Sequence, residues 1–237
     1  MFIEDWFAYF GMLDIVAIVW FFLVWLGFSW VADYGWMKAR SVTSIVNQYR
    51  ELWMTEMLKR EVKIVDTQIM GNLGSGLAFF ASTSVLIIGG LSAALGAGET
   101  VVVLLEDIPF ARGSSKLAYD LKIILLIGIF VYAFVKFSWS FRLSNYCSIL
   151  IGACHSEART HEEFVEAARL PAQLSGLAGA HFNRGLRSYF FAMAALGWFI
   201  NAEIFIVATT MTLITQYRRE FRSRSHKVLK AGLSINY

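Results

Sequence analysis

The sequence predicts an all-α, polytopic integral membrane protein with about four transmembrane helices and a long amphipathic cytosolic helix. The 237 residues are 57% hydrophobic and only 16% charged, whereas soluble domains carry about 25% charged residues. Four apolar segments are each near the ~20 residues that a helix needs to cross the bilayer core. We therefore treat 1–237 as a single membrane domain, with spans at about 13–31, 73–95, 123–140 and 189–214.

The residues around the first apolar segment predict its orientation. Glu4 and Asp5 precede it without any Lys or Arg, so it does not resemble a cleaved signal peptide. Six basic residues follow it before Gly71. Because cytosolic loops are enriched in Lys and Arg, we expect the N-terminus outside the cell.

A long polar helix is predicted at about 42–70, between the first two spans. Apolar residues recur there at spacings of three and four, as at Val46, Tyr49, Trp53 and Met57. Such a helix lies along the bilayer, covers the cytosolic ends of its own bundle, or packs against another protomer.

The second span carries a face of small residues, which lets another helix approach closely. The partner is either a helix of the same chain or a second copy, so self-association through this face is expected. We call these residues the small-residue face: Gly71, Ser75, Ala78, Ser82, Gly89, Ala93 and Gly96.

The third span is predicted to begin after a cap at Ser114 or Ser115. Lys136 lies about two-thirds of the way along it. Its ammonium group either extends to the nearby cytosolic surface or pairs with Glu203.

The fourth span, 189–214, holds Asn201 and Glu203 near its middle. A carboxylate at that depth costs a few kcal/mol unless it is paired or hydrated. A single span would place six basic residues of the C-terminal tail outside, against the charge rule. The alternative is a segment that breaks at Asn201–Glu203 and returns to the cytosolic side.

The cytosolic segment before the fourth span has its own signals. Thr160 and Glu163 form a predicted capping box, and Pro171 is expected to end or kink the helix that follows. Cys147 and Cys154 are seven residues apart, too far for a disulfide on one helix, and we interpret them as core residues.

Polar residues from three segments are predicted to meet at the cytosolic membrane boundary. They form either a structural girdle of ion pairs or a polar vestibule that binds a ligand. Together with the intramembrane residues named above they are the candidate functional residues: Arg60, Glu61, Asp66, Lys136, Arg142, Asn145, Asn183, Arg187, Asn201 and Glu203.

Several kinds of chemistry find no support in the sequence. The four histidines (His155, His161, His181 and His226) lie outside the apolar cores, so a haem is not expected. No zinc-protease or nucleophile-elbow motif occurs, and a net charge of +3 does not indicate nucleic acid binding. No cofactor or metal is expected, and an enzyme that uses unfamiliar groups stays open.

Several stretches resemble the family called domain of unknown function 599, membrane proteins of bacteria and plants. The resemblance covers most of the chain and implies a four-helix membrane fold, with no known activity. The stretches that carry it are 57–61 with Asp66, 79–82, 136–139 with Arg142 and Asn145, 182–187 with 189–190, Trp198, and 219–221 with Ser223.

These observations predict a multi-pass protein of the bacterial inner membrane. The leading hypothesis is a homo-oligomeric channel-like or transport protein, based on the small-residue face, Glu203 and the charged boundary. The alternative is a non-enzymatic accessory or scaffold subunit of a larger membrane complex.

Overall fold

The fold is all-helical across the residues that the structure, a computed structural model, describes: 11–98, 115–153 and 160–233. Predicted features at Glu4, Asp5, Glu106, Ser114, Cys154 and His155 lie outside them. Two short 3-10 helices occur at Lys38–Arg40 and Gly197–Phe199. The α-helices are α1 (Met12–Asp33), α2 (Val42–Leu58), α3 (Ile64–Gly96), α4 (Lys116–Ala153), α5 (His161–Leu196), α6 (Ala202–Phe221) and α7 (Arg224–Leu233).

Three of the described helices, α1, α3 and α4, are long and apolar enough to cross a membrane. They contain the first three predicted spans. The predicted helix starts also agree with the structure. Ser115 Oγ accepts the Ala118 amide, and the Thr160 and Glu163 side chains each accept the other residue's amide, as a capping box requires.

The chain forms two compact units to which the long helices contribute different segments. Unit 1 comprises the described residues of Met1–Trp30, Thr83–Phe134 and Leu186–Gln216. Unit 2 comprises those of Val31–Ser82, Val135–Gly185 and Tyr217–Tyr237.

Unit 1 is packed around the aromatic residues of α1. The fully buried ring of Phe21 contacts Phe191 of α5, with centroids 5.9 Å apart, and Phe205 of α6, with centroids 5.2 Å apart. Trp25 lies edge-on to Tyr132 of α4. These contacts hold α1, α4, α5 and α6 around one apolar core.

Residues 197–201 turn the chain between α5 and α6 in unit 1. The Trp198 indole donates to Asp14, in the first turn of α1, and Phe199 contacts Tyr119, in the first turn of α4. Phe191 and Phe205, on either side of the turn, both contact Phe21. Thus α5 and α6 run antiparallel as a hairpin.

This hairpin corrects the prediction of one continuous helix over 189–214. The helix ends at Leu196 and a new one begins at Ala202. The alternative prediction, a break near Asn201, was the sequence signal for this turn. The side-chain oxygen of Asn201 accepts the Ile204 amide at 2.7 Å and so caps α6.

The predicted amphipathic helix over 42–70 is also wrong in its length. Helix α2 begins after Ser41, which accepts the Ser44 amide, and ends at Leu58, while α3 begins at Ile64. Trp53 donates to Asp66 at 2.7 Å. In one helix, residues 13 positions apart would be separated by about 20 Å, so this contact requires the chain to reverse.

Unit 2 has a second apolar core, built by α2, α3, α4 and α5. Phe137 of α4 contacts Phe80 and Phe182, and Ser140 donates to the Ala178 carbonyl at 2.6 Å. Cys147 is fully buried and its thiol donates to the Pro171 carbonyl at 3.3 Å, in agreement with a core role. Helix α5 continues through Pro171 rather than ending there.

Candidate functional site

Unit 2 holds most of the predicted functional residues, and unit 1 holds three. The unit 1 residues are Arg187, Asn201 and Glu203. The unit 2 residues are Arg60, Glu61, Asp66, Lys136, Arg142, Asn145 and Asn183.

Asp66 is the most enclosed of these residues, with no exposed surface. Its Oδ1 accepts from the Trp53 indole and from Arg60 Nη1, both at 2.7 Å. Its Oδ2 is buried and has no hydrogen-bond partner within the described ranges. Arg60 is 46% exposed and Glu61 is exposed in the segment between α2 and α3. The pair therefore joins a buried carboxylate to a solvated guanidinium.

Asn183 belongs to a polar chain that links three helices of unit 2. Its amide donates to Thr43 Oγ1 at 3.0 Å. Thr43 in turn donates to Glu220 of α6, from its amide at 3.2 Å and from its hydroxyl at 2.9 Å. Glu220 therefore occupies the N-terminus of α2, where a carboxylate is favourable.

An ion pair between Asp33 and Arg184 lies next to this polar chain. Arg184 Nε donates to Asp33 Oδ2 at 2.7 Å, and Nη2 donates to the Tyr34 hydroxyl at 2.9 Å. Both charged side chains are largely enclosed, with 17% and 10% exposure for Arg184 and Asp33. Lys136 has Arg184 and Asp33 among its charged neighbours, while its predicted ion pair with Glu203 stays a prediction.

A polar cavity of about 530 Å³ adjoins the Asp33–Arg184 pair. It is bordered by the segment after α1, by one face of α2 and by α5, all within unit 2. Two acidic and two basic side chains line it, with a histidine and several neutral polar groups. The charged lining residues are Asp33, Lys38, Glu51 and Arg184; the others named here are Asn47, Gln173 and His181.

His181 presents a neutral imidazole in this cavity. Burial lowers its pKa, and the positive charges of Arg184 and Lys136 lower it further, against a smaller opposing effect of Asp33. Its Nδ1 is buried without a hydrogen-bond partner in the part of the chain that the structure describes. His181 lies on α5, before residue 189, where the fourth predicted span begins.

Arg50 supports the cavity from the side of α2. It donates to Asn47 at 2.6 Å, which orients the Asn47 amide. Burial lowers the pKa of Arg50, and Cys147 acts weakly in the opposite direction. A guanidinium in this position fixes the α2 face of the cavity.

Arg142 and Asn145 both lie on α4. The Arg142 guanidinium stacks on Trp139, 5.9 Å from the ring centre. Asn145 lines a groove of about 460 Å³ between α3 and α4, whose α3 wall includes Gly71, Ser75 and Ala78. This groove contains three of the four residues that the small-residue face has in unit 2.

The contacts and positions of the three candidate residues in unit 1 indicate structural roles. Arg187 is 8% exposed and lies over the Phe28 ring at 5.9 Å. Asn201 caps α6, as described above. Glu203 is exposed in the first turn of α6, where a carboxylate is stabilised by the helix dipole. The prediction that Glu203 lies in mid-helix is therefore wrong.

The sequence reasoning missed Asp33, Thr43, Glu51, His181 and Glu220. Each is an ordinary polar residue at a helix end or on a helix face, and no spacing pattern marks it. Arg184 and Glu220 carried a signal, because they lie within the 182–187 and 219–221 stretches of the family resemblance. Among the described residues, no three His, Cys, Asp or Glu side chains are grouped to hold a metal ion.

Comparison with known proteins gives a family. No curated protein and no solved structure matches the chain. A family model described as "Protein of unknown function, DUF599" matches residues 16–225. It thus covers every long helix and the whole polar cavity, and the chain belongs to the DUF599 family.

Proposed function

We propose that this protein is a homo-oligomeric membrane protein of the transport class that binds a small polar solute in the cavity of unit 2. The observation that carries the proposal is the cavity of about 530 Å³ with charged groups of both signs. Ligand sites of small molecules are concave, with volumes of about 300–1,000 Å³ and a few polar groups that fix orientation.

The charges of the cavity favour a zwitterionic solute. Asp33 and Arg184 neutralise each other in their ion pair. Lys38 and Glu51 are exposed and line the same cavity. Lys38 is suited to a carboxylate and Glu51 to an ammonium group.

A thermal-stability screen of the purified protein tests this proposal. Amino acids and betaines serve as zwitterions, and simple carboxylates and amines as matched single charges. We expect zwitterions to raise Tm, and Glu51→Gln with Lys38→Gln to abolish the rise. The control Glu56→Gln with Lys59→Gln removes the same charges from an exposed pair outside the cavity. Equal responses of both double variants would refute the site.

We further propose that the α5–α6 hairpin places the C-terminus in the cytosol, with the N-terminus outside. The basic residues then segregate: six lie in 34–63, five in 141–188 and six in 217–233, all inside, whereas Arg112, Lys116 and Lys122 are outside. The hairpin supports this arrangement, because α5 and α6 run antiparallel and return the chain to the side it came from.

Cysteine labelling in intact cells tests the topology. In a Cys-free background, cysteines at positions 48, 165 and 230 are expected to react only after the membrane is permeabilised. A cysteine at 106 is expected to react from outside. Labelling of position 230 in intact cells would overturn the cytosolic C-terminus, and labelling of position 48 would overturn the whole orientation.

Exposure of the small-residue face supports self-association. All seven of its residues are exposed on α3. A Cβ added at Gly71, Gly89 or Gly96 would meet no atom of the described residues within 4 Å. Packing within the described part of one chain therefore does not require small residues at these positions. Close approach of a second copy gives a reason for their small size.

The pair Gly89→Leu and Gly90→Leu tests self-association on one helix. Both glycines are exposed in open space, and Gly90 is turned about 100° from the small-residue face. We expect Gly89→Leu to shift the oligomer towards monomer in mild detergent and Gly90→Leu to leave it unchanged. A monomeric unmodified protein would exclude the homo-oligomer and favour the alternative, an accessory subunit that binds a different membrane protein.

A further inference from the structure

The C-terminal helix α7 borders a groove that the proposed transport function does not use. The groove measures about 380 Å³ and lies within unit 2. Its polar lining consists of Arg40, Gln48, His226 and Lys230, and its apolar lining of Ala39, Ile45 and Leu233.

Two contacts hold α7 in place beside this groove. The Tyr49 hydroxyl donates to the Leu229 carbonyl at 2.9 Å. His226 Nε2 lies 2.9 Å from the carbonyl oxygen of Arg40. The groove is thus formed between two anchored segments.

The groove carries positive charge. Among the described residues, its lining includes Arg40 and Lys230 and no Asp or Glu. Helix α7 adds Arg224 and Lys227 and has no acidic residue in its ten positions. A surface of this kind attracts anions, and phosphate oxygens suit both Arg and Lys.

Neighbouring aromatic residues indicate where the anion comes from. Trp36 and Tyr34 follow the apolar helix α1 and are 81% and 65% exposed. Exposed Trp and Tyr at the end of a membrane helix are typical of the headgroup layer. Arg40 follows Trp36 by four residues, so the groove opens close to that layer.

We propose that this groove binds the phosphate of an anionic phospholipid headgroup. Arg40 and Lys230 supply the charge, and Gln48 supplies a hydrogen-bond donor. Ile45 and Leu233 offer apolar surface to the glycerol and the start of the acyl chains. The proposal is independent of the solute cavity, because it uses none of the residues that line it.

Native mass spectrometry of the full chain tests the site with two lipids of identical acyl chains. We expect phosphatidylglycerol to bind in preference to phosphatidylcholine. Arg40→Gln with Lys230→Gln is expected to weaken phosphatidylglycerol binding about thirtyfold, from the loss of two basic groups near a lipid phosphate. The matched control Lys59→Gln with Arg169→Gln removes one Lys and one Arg from exposed helix pairs and is expected to bind normally.

Three results would overturn the proposal. The first is equal binding of the two lipids. The second is equal loss of phosphatidylglycerol binding in both double variants, which would indicate net charge rather than a site. The third is displacement of phosphatidylglycerol by inorganic phosphate below millimolar concentration, which would assign the groove to free phosphate. Unfolding of each variant by heat confirms that the comparison is between folded proteins.

Discussion

Units 1 and 2 share the long helices α3, α4 and α5, yet their interiors differ in chemistry. Unit 1 is filled by aromatic rings around Phe21. Its polar contacts include Trp198 with Asp14 and Ser84 with Tyr189, and the buried Lys122 lies over the Trp198 ring, 5.3 Å from its centre. Unit 2 contains the Asp33–Arg184 and Arg60–Asp66 ion pairs, the polar cavity beside the first pair, and the grooves beside α4 and α7.

The difference shows that two parts of one long helix can have different roles, which the length of the helix does not reveal. In unit 1, close packing is the main interaction that can hold helices together in lipid. In unit 2, buried charges cost desolvation and remain only because they are paired. We therefore expect substitutions in unit 1 to change stability, and substitutions in the unit 2 cavity to change ligand binding.

Phe21→Ala gives the largest expected effect and tests the packing of unit 1. The ring is fully buried against Phe191 and Phe205. We expect the free energy of unfolding to fall by about 3 kcal/mol, the lower end for Phe→Ala because lipid solvates apolar groups well. Unfolding in mixed micelles measures it. Val19→Ala, half-exposed on the same helix, is the control, and an equal loss in both variants would contradict a packed core.

Asp66→Asn tests the ionic contribution in unit 2. The amide retains the size of the carboxylate and an oxygen for the Trp53 indole but loses the charge that faces Arg60. Because Arg60 is half-exposed and remains hydrated, we expect a loss of only about 1–2 kcal/mol. Glu61→Gln, at an exposed neighbouring position, is expected to stay within about 0.5 kcal/mol. A gain in stability for Asp66→Asn would show that the buried charge is a net cost.

Asn201→Ala examines the turn of the hairpin. The variant removes the side-chain oxygen that accepts the Ile204 amide, and loss of such a cap costs about 1 kcal/mol. Asn201→Asp retains an acceptor and is expected to recover most of the stability. If both variants lose the same amount, the cap is not what stabilises the start of α6.

His181→Gln has the smallest expected effect and appears only in the pH dependence. The pKa of His181 is lowered in the folded protein, so the unfolded chain binds the proton first, near pH 6.5. Stability is therefore present above about pH 6.5 and is lost as the pH falls towards the folded-state pKa. We expect Tm of the unmodified protein to fall more between about pH 7.5 and 5.5 than Tm of His181→Gln. Parallel curves would contradict the burial of this imidazole.

Local signals in the sequence predicted the parts of the fold that local physics determines. Continuous apolar runs predicted α1, α3 and α4, and the hydroxyl of Thr160 with the carboxylate of Glu163 predicted a capping box. Both depend on residues within a few turns of each other.

The features that depend on contacts between distant residues could not be predicted from the sequence. The apolar spacing of 42–70 continues across the end of α2. The helix nevertheless ends there, because the hydrogen bond from Trp53 to Asp66 requires the chain to reverse. Glu203 was predicted in mid-helix because hydropathy alone does not show that the helix restarts at Ala202. The cavity residues Asp33 and Glu51 come from separate segments, so only the tertiary fold brings them together.

The turn at residues 197–201 also has a consequence for synthesis at the ribosome. Helices α1, α3 and α4 are apolar enough to leave the translocon one at a time. Helix α5 carries Arg184 and Arg187, so it gains little from entering lipid alone. If the hairpin enters the bilayer as we propose, its insertion is expected to wait until α6 emerges and the two can enter as a pair. A nascent chain halted before α6 would therefore hold α5 outside the bilayer, where quality-control proteases can reach it.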